Sequence, residues 1–356
     1  MVVATSGSIV AMPRYALLLR ASANRVYGES AFDLAAGELG ALGKRALGGP
    51  ATIERAEVAG VDYLIVDATT SIPDDGLRVL ANLSNLHALF AVDDDQRFRP
   101  LSCTPLRRLD EDIVTIQRYA GKTNEAFTHL LVNLALGSGA TSLDRWMAGE
   151  RVRLLDPVCG RGTTLNRAAL QGIDAFGIEL DQRDVAAYET FLTTWLQEKR
   201  LKHTVERATL RKGRATAAHR VTITYGPSKD RAQHRIIDVV HDDSRAARDH
   251  HKASSVDLLV GDLPYGVQHG ATVGPGAPSR APDAFLGAAL PVWRDVLRPG
   301  GGVALAFNRR TLPRSRLVEL ATASGLRVTD PDDERFVHRV DRSITRDVLI
   351  GCRPSI

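Results

Sequence analysis

The residues best able to do chemistry close an apolar run, in which Val256-Asp257-Leu258-Leu259-Val260-Gly261 leads into Asp262-Leu263-Pro264-Tyr265-Gly266. A carboxylate, a main-chain carbonyl, a rigid proline and an aromatic ring follow one another at what reads as a strand end. A plain strand-ending turn is the structural alternative. A second group lies upstream, where Leu154-Leu155-Asp156-Pro157-Val158-Cys159-Gly160-Arg161-Gly162-Thr163-Thr164-Leu165 runs from an apolar strand through a glycine turn into a helix. Gly160 and Gly162 remove side chains where the backbone turns tightly and approaches a ligand, and Thr163 can cap the helix. The turn lacks Gly-Lys-Ser/Thr and the GxGxxG spacing, which disfavours a phosphate ligand. A Gly-rich strand–helix turn of any α/β protein is the other reading. Ala175–Asp181 then ends a second strand with Glu179, 17 positions after Gly162, about the distance at which a carboxylate meets ribose hydroxyls. A solvated acid at a strand end would look the same.

Taken together, these motifs resemble the Rossmann-like methyltransferases, whose first motif of the type Asp-Pro-x-Cys-Gly-x-Gly-Thr holds the methionine part of S-adenosylmethionine. The resemblance implies cofactor contacts from Asp156, Pro157, Cys159, Gly160, Gly162 and Thr163, and a ribose contact from Glu179. A third strand, His234–Val240, leads into His241-Asp242-Asp243-Ser244, where the family places an Asp that bonds the adenine amino group. Asp243 is chosen over Asp242, with a helix-cap role as the alternative for either. Asp262-Leu263-Pro264-Tyr265 resembles the Asp/Asn-Pro-Pro-Tyr/Phe motif of amino-group methyltransferases, which act on adenine N6, cytosine N4, guanine N2 or an amide nitrogen. Leu263 stands where that family more often has proline. An exocyclic amine is a poor nucleophile because its lone pair is delocalised into the ring. The Asp262 side chain and the Leu263 carbonyl can accept its two hydrogen bonds, orient the nitrogen and stabilise positive charge as it develops. Pro264 would hold the turn and Tyr265 would stack on the base, worth about 1–3 kcal/mol.

Upstream, Tyr119-Ala120-Gly121-Lys122-Thr123-Asn124-Glu125-Ala126-Phe127-Thr128 is similar to the tRNA guanine-N2 methyltransferases that carry a THUMP domain. Thr123 and Asn124 are expected at the methionine carboxylate, with helix capping as the alternative for Asn124. The resemblance points to methyl transfer to guanine N2 in tRNA. The alternatives are an N6-adenine methyltransferase acting on DNA or RNA, protein glutamine methylation, and a non-catalytic nucleic-acid-binding protein on the same fold.

Positioning these motifs requires strands at 152–155, 174–178, 236–240, 256–261 and 302–307 separated by helices, which implies a largely parallel sheet. Runs 335–340 and 346–352 are linked too closely for a crossover helix and should pair antiparallel. The expected fold is therefore α/β, a Rossmann-like domain of seven mostly parallel strands with an antiparallel last strand. Leu297-Arg298-Pro299-Gly300-Gly301-Gly302 should end a helix and reverse the chain. Before this domain, a strand at 15–20, a helix at 31–47, a strand over Glu57–Thr69, a short helix at 76–83 and a strand at 86–92 predict a small α+β unit. The boundary is drawn at 118, giving 1–118 as a truncated THUMP-like or ferredoxin-like unit and 119–356 as the catalytic domain. Residues 98–119 read as a linker or edge strand, and Asn124–Leu136 as a helix.

The chain has 356 residues, 44% hydrophobic and 25% charged, long enough for two domains. Residues 199–235 carry eleven Lys and Arg against Glu206 and Asp230, a net +9 that leaves −5 for the remainder. This insert suits a phosphate backbone, with Arg211, Lys212 and Arg214 its densest cluster, and a solvated surface hairpin is the alternative. The expected partner is RNA, tRNA in particular, ahead of DNA. Three scattered cysteines suggest neither a disulfide framework nor a zinc site. His250 and His251 lie among charged residues that suggest a polar loop and receive no role. No apolar stretch approaches the roughly 18–20 residues of a membrane span, and no basic segment precedes the first apolar residues, so a cytoplasmic location is expected.

Overall fold

The computed structural model describes residues 12–21, 25–93, 95–212, 215–227, 229–264 and 282–355. The chain forms two compact units, Met1–Pro105 and Leu106–Ile356. The first contains β1 (Arg14–Leu19), α1 (Arg25–Ala46), β2 (Ala51–Val58), β3 (Val61–Ala68), α2 (Asp74–Leu80), β4 (Leu86–Val92) and β5 (Phe98–Leu101). Its strands pair antiparallel in the order β2-β3-β1-β4-β5. One strand was expected over Glu57–Thr69, but Ala59 and Gly60 both take left-handed φ (51° and 79°) and fold the segment into the β2–β3 hairpin. The stretch read as linker or edge strand supplies β5 at the sheet edge.

The boundary lies after Pro105 rather than at 118, because the intervening residues are built into the second unit. There α3 (Asp112–Thr115) buries Ile113 and Val114. Arg108 N donates to Leu170 O at 2.8 Å, Asn166 Nδ2 to Ile113 O at 3.3 Å, and Trp195 Nε1 to Asp112 Oδ1 at 3.1 Å.

The second unit continues with α4 (Glu125–Ser138), α5 (Ser142–Met147), β6 (Arg153–Asp156), α6 (Thr163–Leu170), β7 (Asp174–Glu179) and α7 (Gln182–Glu198). Then come β8 (His203–Lys212), β9 (Ala215–Tyr225), β10 (Arg235–His241), α8 (Ala247–His250) and β11 (Val256–Asp262). Last are α9 (Pro282–Val296), β12 (Leu297–Asn308), α10 (Arg314–Ala323), β13 (Arg327–Val328), β14 (His338–Arg339) and β15 (Thr345–Cys352). The sheet order is β13-β15-β12-β11-β6-β7-β10-β9-β8, with β14 also on β15. Strands β10, β7, β6, β11 and β12 are parallel, while β15 runs antiparallel to β12. The order reverses at β6, so the carboxyl ends of β6, β7 and β11 meet at the edge where open α/β sheets bind ligands.

Helix α4 is apolar nearly all round and buries Phe127, Leu130, Leu131, Val132, Leu134 and Leu136. Gly302 lets it seat on β12, since a Cβ there would lie 1.9 Å from Ala135 O. As expected, α9 ends at Val296, directly before the run Leu297–Gly302. That run belongs to β12, whose register against β11 jumps from Val256↔Leu297 to Leu258↔Gly302, so residues 298–301 bulge from the ladder. The expected 335–340 strand is reduced to the two residues of β14. The basic insert forms the antiparallel β8–β9 ribbon, which extends the sheet beyond β10 and buries Val221, Ile223 and Tyr225.

Candidate active site

Strand β6 delivers Asp156 into the core at 2% exposure, where its Oδ1 accepts from Val158 N at 3.0 Å. Burial pushes this carboxyl up to about 7, against the pull of Thr164 and Val158 hydrogen bonds, with Asp262 and Glu179 adding like charge. The turn that follows is pinned to the next strand, because Cys159 N donates to Ile178 O at 3.0 Å and Gly160 N to Glu179 Oε2 at 2.8 Å. Glu179 Oε1 also accepts from Asp181 N at 2.8 Å. Its carboxylate thus shapes the glycine turn, and a carboxylate has further lone pairs for a ligand.

The two glycines serve different ends. Gly162 has φ 78°, and a Cβ there would meet the Tyr188 ring at 2.3 Å, so its bare backbone is required by packing. Gly160 has φ 51°, and a Cβ there would meet nothing within 4 Å. Open space therefore lies before Gly160, where a ligand can approach the main chain. Cys159 packs against Gly177, and burial raises its thiol well above the ordinary range, which leaves it no nucleophilic role.

Asp262 ends β11 and meets two partners from distant sequence. Thr123 Oγ1 donates to its Oδ2 at 2.6 Å, and Arg346 Nη2 donates to the same oxygen at 3.1 Å. Leu263 is buried, with its N–H donating to Ala306 O at 2.9 Å, and Pro264 is exposed. Tyr265 lies outside the described residues. Leu263 is accommodated without the proline usual at its position because the β12 backbone takes the N–H that a proline would lack.

The segment before α4 runs from one motif to the other. Tyr119 Oη and Thr163 Oγ1 share a hydrogen bond of 2.7 Å, and the Arg161 guanidinium lies 5.1 Å over the Tyr119 ring while its Nε donates to Asp184 at 2.8 Å. Thr123, expected at the methionine carboxylate, is turned to Asp262. Asn124 caps α4, its Oδ1 accepting from Ala126 N and Phe127 N at 2.9 and 3.1 Å. The capping alternative describes its place in the structure.

Asp243 likewise caps the short 3-10 turn Ser244–Ala246, accepting from Arg245 N at 2.9 Å and pairing with the Arg245 side chain. Burial opposes its ionisation, but the Arg245 hydrogen bonds outweigh it and hold the carboxyl below the usual range. Its neighbour Asp242 binds the buried His250, with Nε2 to Oδ2 at 2.6 Å. His251 is also buried, its ring edge-on to Phe176, and its imidazole is pushed down to about 4 by desolvation, with Arg220 and His250 adding to it. The polar-loop reading of these histidines is therefore corrected, because α8 turns both inward.

Sequence reasoning missed Arg346, Tyr119 and the Asp242–His250 pair. A usable signal existed for Arg346, since the first residues of an antiparallel strand lie at the same edge as the carboxyl ends of its parallel neighbours. In the basic insert 199–235, several cations have partners within the protein itself. Arg207 pairs with Glu189, Lys199 with Asp110 and Asp112, and Arg235 Nε donates to Gly172 O at 2.7 Å. Arg211 and Lys212 end β8 at the ribbon tip, in register with Thr216 and Ala215. Their side chains, and Arg214 altogether, lie outside the described residues.

Residues 128–319 match the family described as RMKL-like, methyltransferase domain. The chain belongs to that family. The sequence matches no curated protein. Among solved structures, the chain is similar to TrmN from Thermus thermophilus (14% identity, 96% of this chain and 99% of that one, TM-score 0.42). It is also similar to a TehB-like SAM-dependent methyltransferase from Corynebacterium glutamicum (16% identity, 59% and 85%, TM-score 0.33). A third is an rRNA methylase from Streptococcus thermophilus (8% identity, 58% and 88%, TM-score 0.31). This methyltransferase uses S-adenosylmethionine, and its residues fit that cofactor, with open space at Gly160 and the Glu179 and Asp262 carboxylates along the same sheet edge. Among the described residues, no helix is long and apolar enough to cross a membrane.

Proposed function

We propose that this methyltransferase acts on the exocyclic amino nitrogen of a nucleic-acid base, and that its substrate is guanine N2 in tRNA. The observation that carries the reading is the placement of the Asp262 carboxylate at the carboxyl end of β11, on the ligand edge of the sheet and beside the cofactor turn. S-adenosylmethionine supplies the electrophilic methyl group when bound. The chain supplies the cradle: Gly160 leaves room at the turn, Glu179 holds that turn and offers acceptors to the ribose, and Asp156 places under it a buried carboxyl whose ionised form a cationic ligand favours. At the acceptor side, Asp262 takes a hydrogen bond from the amine, which fixes the nitrogen for in-line attack and stabilises the positive charge that grows on it. The Leu263 carbonyl is the second acceptor in this reading. The basic residues Arg211, Lys212 and Arg214 contribute phosphate contacts in this reading, and binding should weaken steeply with salt.

Incubation with labelled S-adenosylmethionine and separate pools of unmodified tRNA, ribosomal RNA and genomic DNA, followed by nucleoside analysis, tests this. N2-methylguanosine in tRNA is the expected product. N6-methyladenine in DNA, or label in protein alone, would overturn the substrate.

A further inference from the structure

The ion pair between Arg346 and Asp262 has no part in the motif that names Asp262, and its construction is too specific for a surface contact. Arg346 is 6% exposed and Asp262 retains 18% of its side-chain surface. The guanidinium carbon sits 4.8 Å over the Phe127 ring, and His338 also packs on that ring, at 5.0 Å between centroids. A planar guanidinium held against an aromatic ring loses little further freedom on hydrogen bonding, whereas a lysine ammonium would have no such seat.

Topology explains how Arg346 reaches the site. Strand β15 is antiparallel, so its first residues lie at the edge where the parallel strands end, in register with Asn308 on β12 and His338 on β14. The side chain then crosses β12 to Asp262 on β11. Charge explains why a cation is needed there, since Asp262 shares this edge with the buried Asp156 and with Glu179. Thr123 donates to the same oxygen that Arg346 binds, so two donors from separate segments fix one carboxylate oxygen.

We propose that Arg346 is a positioning residue for methyl transfer, which with Thr123 clamps Oδ2 of Asp262 and so fixes the acceptor that orients the substrate amine. The inference rests on the amino-group reading above. It assigns Arg346 no direct contact with substrate or cofactor.

Steady-state kinetics on unmodified tRNA transcripts and on sheared genomic DNA, with total label and product nucleoside measured separately, tests it. Arg346→Ala should lower kcat by about 30-fold or more, while KM for the acceptor and Kd for S-adenosylmethionine stay within about threefold. Arg346→Lys, which keeps the charge without the stacked fork, should recover part of the loss. Thr123→Val, which removes the other donor, should lower kcat in the same way and more mildly. The inference is overturned if Arg346→Ala retains kcat, or if both Arg346 variants lose folding and cofactor binding together with activity. A wrong base in the product with the Arg346 effect intact would overturn the substrate and leave the inference standing. No transfer from the unaltered protein to either polymer would overturn both.

Discussion

Thr123 and Asp262, 139 residues apart in sequence, are joined by a 2.6 Å hydrogen bond from hydroxyl to carboxylate. The segment bearing Thr123 also bonds the cofactor turn through Tyr119 and Thr163 at 2.7 Å. A single stretch of chain before α4 thus spans from the end of β6 to the end of β11. The turn after β6 and the carboxylate at the end of β11 both take their geometry in part from it.

Replacing Asp262 by alanine should leave S-adenosylmethionine binding within a few-fold and reduce transfer by at least about 100-fold, the scale expected for a positioned acceptor that acts mainly in the transition state. Calorimetric titration of the cofactor alongside single-turnover kinetics would check this. Retained transfer would remove Asp262 from the mechanism.

The two turn glycines should respond oppositely to alanine. Gly162→Ala drives a methyl group into the Tyr188 ring at a left-handed φ, so thermal unfolding should show a loss of about 2 kcal/mol or more. Gly160→Ala meets only the cost of φ 51°, about 1 kcal/mol, but sends its methyl into the open space before the turn. Its cofactor affinity should therefore fall at least about tenfold while its stability falls less than that of Gly162→Ala. Equal losses in both variants would contradict the division of roles.

Asp156 should make both stability and cofactor binding depend on pH. Its carboxyl is raised to about 7 in the folded protein, chiefly by burial, against an ordinary carboxylate value near 4 when unfolded. Between about pH 4 and 7 the folded state keeps a proton that the unfolded state has released, so this group's contribution favours folding at acid pH and is lost as pH rises through 7. A cationic cofactor favours the ionised form, so binding should expel the proton and weaken by up to about tenfold per pH unit below 7. Titration calorimetry in buffers of different ionisation enthalpy should detect proton release that Asp156→Asn abolishes. Equal heats in all buffers for the unaltered protein would refute the linkage.

Glu179→Gln should separate the turn from the ligand. The amide oxygen can keep only one of the two main-chain hydrogen bonds, from Gly160 or from Asp181, that the carboxylate now accepts. A stability loss of about 1–2 kcal/mol and a cofactor Kd weakened by at least tenfold are expected. Chemical denaturation and equilibrium binding would measure the two. Cofactor affinity unchanged in this variant would remove Glu179 from the binding site.

The strand–helix alternation from 152 to 307, the glycine turn, and the carboxylates at the ends of β6, β7 and β11 are legible in the residues alone. This is because each is a local pattern: an apolar run, a turn residue, then a polar residue at a fixed offset. The antiparallel β14–β15 pair is legible as well, since the link between them is too short for a crossover. Which partners those carboxylates have depends on how distant segments are folded together. Arg346 and Thr123 meet Asp262 because β15 runs against its neighbours and because the segment before α4 spans two strand ends, and neither relation has a period or a spacing in the sequence. The same holds for the insert at 199–235. Its charge was legible, but antiparallel pairing with β10 made it part of the sheet, and acids from elsewhere in the fold claim several of its cations before any phosphate could.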